Sequence, residues 1–426
     1  MANTGTRKRF CGAILALALC AMLLWAGGAL ASDEAPWRTS GDYKYIENGD
    51  GTVTIVQYTG MATELAVPGA LTPEYTWGPS GATPLRVTGI GAWAFSSCSQ
   101  LTRVTLPDSV TSLASGAFRK CSALAEITLP AGISYIGDGA LSYCTALTAI
   151  EAPGNAVYTS VDGVLIDRAA QTLVAYPAGK SAGRYTVPGD IASIGPGAFA
   201  GAPALTAVVI PDTVTGIGEG AFADCSGLTA ITLPGSVTSI GERAFSGCAM
   251  LRTIDVSAGN AVYASVDGVL IDRAAQTLIA YPAGKSAERY MVAGDIARIG
   301  PDAFAGAVAL AAVVIPDTVT DIGEGAFAGC SGLTAIALPG SVTAVEAYTF
   351  SRCAGLKSVT IPGAVARVGD GAFEGCAGLS YVTLSAGVTD IRENVFAGCN
   401  ALLTLRVPSG SFAERYAKAH KIRYIT

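Results

Sequence analysis

Hydrophobic positions along this chain repeat every 23 residues. The ladder runs through Phe95, Phe118 and Leu141, then Phe199, Phe222 and Phe245, then Phe304, Phe327, Phe350, Phe373 and Phe396, most of them preceded by Ala. Leu stands six residues after each, from Leu101 to Leu402, and Val, Ile or Leu stands nine after. The stretch around that ninth position alternates, as in Val104-Thr105-Leu106-Pro107, which predicts a short strand with one buried face, ended by a Pro that cannot donate to a ladder. A second apolar pair follows, such as Val214 and Ile217, and then Gly218. The Ala-Phe-x-x-Cys-x-x-Leu segment has apolar spacings of three, which suit a short helical or 3₁₀ segment.

One rung alone buries too little to offset the ordering of its backbone, so the rungs must stack. Eleven rungs at about 4.8 Å per strand give a body at least ~50 Å long. The pattern predicts an α/β repeat solenoid over 86–407. Residues 32–85 are expected to form an N-terminal cap, with a hairpin between Tyr43 and Tyr58 around Asn48-Gly49-Asp50-Gly51. Residues 408–426 are expected to form a C-terminal cap. There Ser411 and Glu414 have capping-box spacing at the start of a short helix, Phe412 and Tyr416 share a face of it, and a last strand follows over 422–426.

A second repeat is laid over the first. Residues 155–248 match 260–353 at an offset of 105 and agree at about four positions in five. The duplicated unit contains long rungs at 155–190 and 260–295, where strand-like runs alternate with turn residues, and each is expected to protrude as a hairpin.

The composition, half apolar and 14% charged with 52 Gly, suits a turn-rich packed core and excludes disorder. Residues 1–31 have the form of a signal peptide: Arg7-Lys8-Arg9, an apolar run, and Ala29-Leu30-Ala31 before the expected cleavage. Removing those three cations changes the formal charge from −6 to −9. Diffuse acidity excludes nucleic acid, which needs clustered Lys and Arg, and disfavours anionic membrane surfaces. The mature chain is expected to be secreted, soluble, monomeric and not inserted in a membrane.

These motifs resemble the BspA-like branch of leucine-rich-repeat proteins, with the Treponema-type 23-residue repeat. The resemblance rests on the Ala-Phe-x-x-Cys-x-x-Leu-x-x-Val-x-Leu-Pro rung and on the Ser-Val-Asp-Gly-Val-Leu-Ile … Tyr-Pro-Ala-Gly-Lys stretches at 160–180 and 265–285, and covers most of 40–410. The chain departs from the commoner leucine-rich repeat in the slot where that repeat has Asn or Cys; here stand Ser109, Thr213, Ser236, Thr318 and Ser341. The resemblance implies parallel strands on a concave side and short helical or 3₁₀ segments on a convex side. It also implies an exported bacterial protein, often surface-associated, that adheres to host or bacterial surfaces without catalysis. No site residue carries over.

Candidate chemistry is sparse. Nine cysteines, Cys98 to Cys399, sit three residues after the ladder position; lacking paired spacing they suit a buried thiol column better than zinc or disulfides. His420 stands among Lys418, Lys421 and Arg423 with no nucleophile, so no catalytic residue, cofactor or metal is expected. Asp162, Asp167, Asp267 and Asp272 suit hairpin turns better than calcium. The candidate ligand surface is the solvent side of the strands, Thr105, Thr128, Glu151, Thr232, Asp255, Thr360 and Thr383, joined by Tyr158 and Tyr263 of the long rungs. A protein partner is the first expectation and a glycan the second. The alternative is a structural envelope spacer without a specific ligand.

Overall fold

The computed structural model describes residues 37–73 and 83–426. The signal peptide expected at 1–31 lies outside the described residues, as does part of the segment read as an N-terminal cap. Within them the chain is a repeat solenoid of parallel strands. Each rung contributes a three- or four-residue strand to one face, as in Arg103–Thr105, Glu126–Thr128 and Ala149–Glu151, and a two-residue strand to a second ladder, as in Ser112–Leu113 and Tyr135–Ile136. The middle residue of each long strand points inward, so Val104, Ile127 and Ile150 are buried between exposed or half-exposed neighbours. One helix of eight residues, Phe412–Ala419, lies near the end, with the Ser411 side chain accepting from the Glu414 N–H.

Of the two forms expected for the Ala-Phe segment, short helix or 3₁₀ turn, the structure has the turn. Its i→i−3 hydrogen bonds are present, Ala94 N to Gly91 O and Cys98 N to Phe95 O, both 3.2 Å, but they alternate with bonds to the next rung, Phe95 N to Ala117 O and Ser97 N to Arg119 O, both 2.8 Å. The alternation follows from two left-handed residues, two before and two after the ladder position, in all eleven rungs: Trp93 and Ser97 in the first, Asn394 and Gly398 in the last. A left-handed residue every fourth position turns every second N–H out of the segment, so single turns form and no helix propagates.

The rings of the ladder stack inside this turn face in three columns. Tyr58, Phe95 and Phe118 form one; Tyr176, Phe199, Phe222 and Phe245 the second; Tyr281 and Phe304 through Phe396 the third, with most centroids 4.9–5.8 Å apart. Each column is headed by a Tyr that follows a hairpin. Tyr58 N donates to Ala94 O at 2.8 Å, and Tyr176 N and Tyr281 N donate to Ala198 O and Ala303 O at 2.7 Å.

The long rungs correct the expectation of protruding hairpins. Tyr158–Val161 and Val164–Asp167 pair antiparallel, and Thr172–Ala175 then runs beside Ser193–Ile194 in parallel. Val164–Asp167 lies inside the solenoid: Leu165 packs in the first core, with Ile150 and Tyr158, while Val164 and Ile166 pack in the next. In the duplicate, Leu270 faces the second core and Val269 and Ile271 the third. A strand apolar on both faces is at home only when covered on both. The two hairpins are partitions, and they divide the solenoid into three stacked cores.

Candidate functional site

The strand face carries the predicted column. Thr105, Thr128, Glu151, Thr232, Asp255 and Thr360 are exposed and Thr383 is half-buried. Thr105, Thr128 and Glu151 are direct partners in register, as are Thr232 with Asp255 and Thr360 with Thr383. The partitions break what the sequence reads as one stripe. The long strands form separate parallel sheets of four, four and seven, because Ile150 N and Ile254 N donate to Gly163 O and Gly268 O of the hairpin turns, both at 2.9 Å. The column therefore consists of three short patches.

Tyr158 and Tyr263 do not belong to that surface. Both are only 4% exposed. The Tyr158 hydroxyl accepts Ile136 N and the Tyr263 hydroxyl accepts Ile240 N, each at 2.9 Å. Their rings fill the core because the hairpin lies across the solenoid. Tyr176 and Tyr281 are buried as well.

Sequence reasoning passed over two polar residues at the same splice. Asn155 is 2% exposed. Its Nδ2 donates to Pro130, Ala131 and Ile133 carbonyls, and its Oδ1 accepts Val157 N and Tyr158 N. Asn260 repeats this with Pro234, Val237, Val262 and Tyr263. The available signal was a buried-type polar residue at the head of each long rung. Asp162-Gly163 and Asp267-Gly268 are both left-handed hairpin turns, and the carbonyls of Asp162 and Asp267 accept Lys180 Nζ and Lys285 Nζ. Among the described residues no cluster of three metal-ligating side chains occurs.

The thiols are free, and eight of the nine are buried. From Cys121 onward each donates to the carbonyl of the ladder residue one rung earlier, as Cys121 to Phe95 O at 3.1 Å and Cys376 to Phe350 O at 3.0 Å. Burial pushes Cys225, Cys330 and Cys376 up to about 12 and Cys98 and Cys399 up to about 11. Such thiols are poor nucleophiles and poor metal ligands. Ser236, Thr318 and Ser341, in the slot where the commoner repeat has Asn or Cys, donate to backbone carbonyls 22 residues earlier.

The turn face holds chemistry that the repeat pattern does not predict. Trp93, at φ 60°, is 52% exposed, and a Cβ on Gly116 would lie 2.9 Å from its ring. Arg119 sits 5.2 Å from the Trp93 ring and 4.7 Å from the Tyr143 ring. The Tyr143 hydroxyl donates to Asp224 Oδ2 at 2.9 Å, across the first partition. At the second partition Arg243 pairs with Asp302 and Glu324, both at 3.2 Å, and Ser246 hydrogen-bonds Asp302 at 3.1 Å. The signal was each place where a left-handed position carries a large side chain in place of Gly.

Comparison with known proteins agrees with this architecture. The BspA-type leucine-rich-repeat region matches in six copies, over 81–163, 181–265 and 297–419. A leucine-rich cell surface protein from Faecalibacterium prausnitzii A2-165 is 32% identical, with 91% of this chain and 98% of that one covered and a TM-score of 0.57. The pneumococcal vaccine antigen PcpA shares the fold at 20% identity and TM-score 0.52, over 92% of this chain and 98% of its own. No curated protein matches the chain.

Proposed function

Because this chain belongs to the BspA-type leucine-rich-repeat family, we infer that it is a non-enzymatic interaction module, exported and displayed outside the cell, that takes a protein partner on its strand face. Export is supported by the leader-like sequence at 1–31 and by the cell-surface description of the F. prausnitzii relative. The observation that carries the reading is the exposed, in-register column of Thr105, Thr128 and Glu151 and its later counterparts. Small side chains held on a rigid sheet present a flat surface at little entropic cost on binding. Broken into three patches, that surface suits an extended partner engaged at several points, each weak and together strong.

The test is a pull-down from host matrix and bacterial surface fractions, followed by affinity measurement with Thr128→Arg and Thr360→Arg. Each substitution should weaken binding of the captured protein at least tenfold. Capture of nothing, or affinities of both variants equal to that of the wild type, overturns the reading and leaves a spacer whose length alone matters. Removal of residues 155–259 would then alter reach only.

A further inference from the structure

The turn face carries a groove of about 560 Å³ that uses none of the strand-face column. One backbone ladder forms its floor: Trp93 N to Ser115 O, Gly116 N to Asp138 O, Gly139 N to Pro196 O, Gly197 N to Glu219 O and Gly220 N to Glu242 O, all 2.8–3.2 Å. The ladder crosses the first partition without a break. Five steps from Trp93 to Arg243 make the groove about 24 Å long. Four glycines keep it open, and the Trp93 ring and the Arg243 network close its ends.

The lining selects a ligand class. Trp93 offers an exposed flat ring at a left-handed position of the repeat that is Gly in six of the eleven rungs. Asp138 and Glu219 are exposed on the walls and form no ion pair among the described residues. Arg119, stacked between Trp93 and Tyr143, has no carboxylate within ion-pair reach among the described residues, and its buried Nε has no hydrogen-bond partner. Four carboxylates, Asp138, Glu219, Asp224 and Asp302, line the groove and repel nucleic acid and acidic polysaccharide. Arg119 and Arg243 oppose a basic peptide. A ring of C–H groups on one side and hydroxyls around its rim, as in a neutral sugar, matches an aromatic platform flanked by unpaired carboxylates and a guanidinium.

We propose that the turn-face groove from Trp93 to Arg243 binds a neutral oligosaccharide, stacked on Trp93 and held through its hydroxyls by Asp138, Glu219 and Arg119. The proposal is independent of the protein-binding reading, since the two surfaces share no residue.

The test titrates the full mature chain with maltohexaose, cellohexaose and mannohexaose, and in parallel with an oligogalacturonate and a Lys-rich peptide, by calorimetry and tryptophan fluorescence. At least one neutral hexaose should bind saturably with a change in emission. Trp93→Gly should weaken it at least tenfold, and Asp138→Asn with Glu219→Gln severalfold, while Thr128→Arg leaves it unchanged. Trp93→Gly places the residue that nature uses at Gly116, Gly139 and Gly197, so the backbone tolerates it, and an unchanged melting curve verifies this. Absence of neutral-hexaose binding at millimolar concentration, equal binding by Trp93→Gly, or preference for the oligogalacturonate or the peptide overturns the proposal.

Discussion

The Tyr158 hydroxyl accepts the backbone N–H of Ile136 at 2.9 Å, at the point where the short ladder ending in Tyr135–Ile136 has no further strand. A side chain thus ends one ladder so that a hairpin can start the next. Tyr263 does the same for Ile240. Tyr158→Phe and Tyr263→Phe strand that N–H and should each cost about 1–3 kcal/mol in denaturant unfolding. Tyr176→Phe makes the informative contrast: its hydroxyl is buried with no partner, so its removal should be neutral or stabilising. Equal losses at Tyr158 and Tyr176 would refute this assignment.

The partition strand offers a test of the three cores. Leu165→Ala should open a cavity in the first core and Val164→Ala one in the second, with about 2–5 kcal/mol lost for the Leu. Hydrogen exchange should show Leu165→Ala loosening amides before residue 152 more than those after 191, and Val164→Ala the reverse. Identical exchange patterns would mean that the cores do not unfold separately.

The thiol column sets an alkaline limit. Folded thiols pushed by burial to about 11 or 12 lie above an unfolded value of about 8.5. Their contribution is therefore complete below about pH 8.5 and is lost as pH rises through the folded values. Unfolding midpoints should be level between pH 6 and 8 and fall steeply above about pH 9. Cys225→Ala with Cys330→Ala should flatten that fall while lowering the plateau. An aromatic disulfide reagent at pH 8 should label the nine ladder thiols, Cys98 to Cys399, slowly in the native protein and fully in the denatured protein.

The second partition is closed by charge. Arg243, Asp302 and Glu324 are only partly exposed, at 30%, 21% and 52% of their side chains. Burial pushes the Asp302 carboxyl up despite Arg243, while three carboxylates, Asp302, Glu324 and Glu242, raise Arg243 against its own burial. Partial exposure screens the network, so Arg243→Met should cost only about 1 kcal/mol. The wild type should lose more stability than the variant between 0.05 and 1 M salt, as screening shortens to about 3 Å.

Capping at the end of the chain gives a local test. Ser411 accepts Glu414 N at 3.1 Å, and Glu414 accepts Gly410 N at 2.6 Å. Ser411→Ala should cost about 1 kcal/mol, read as faster exchange confined to 411–425. A global shift without local loosening would assign the effect elsewhere.

Periodicity determined the repeat, its inward residues and the thiol column, because a 23-residue spacing of Phe, Cys and Leu has few solutions other than stacked rungs with those side chains inside. The Asp-Gly turns were legible for the same local reason. Tertiary structure decided the rest. Val164-Leu165-Ile166 reads as a strand in any setting, and only its place between two cores shows that the hairpin divides the solenoid and that Tyr158 and Tyr263 belong to the interior. The Ala-Phe segment reads as a short helix or a 3₁₀ turn by its spacing of three, and only the left-handed positions and inter-rung hydrogen bonds decide for single turns. The groove lined from Trp93 to Arg243 and Asp302 joins residues of seven rungs across 209 positions of sequence. Sequence period fixes which residues face inward within a rung, but the meeting of side chains from different rungs depends on stacking, a long-range property that no local pattern encodes.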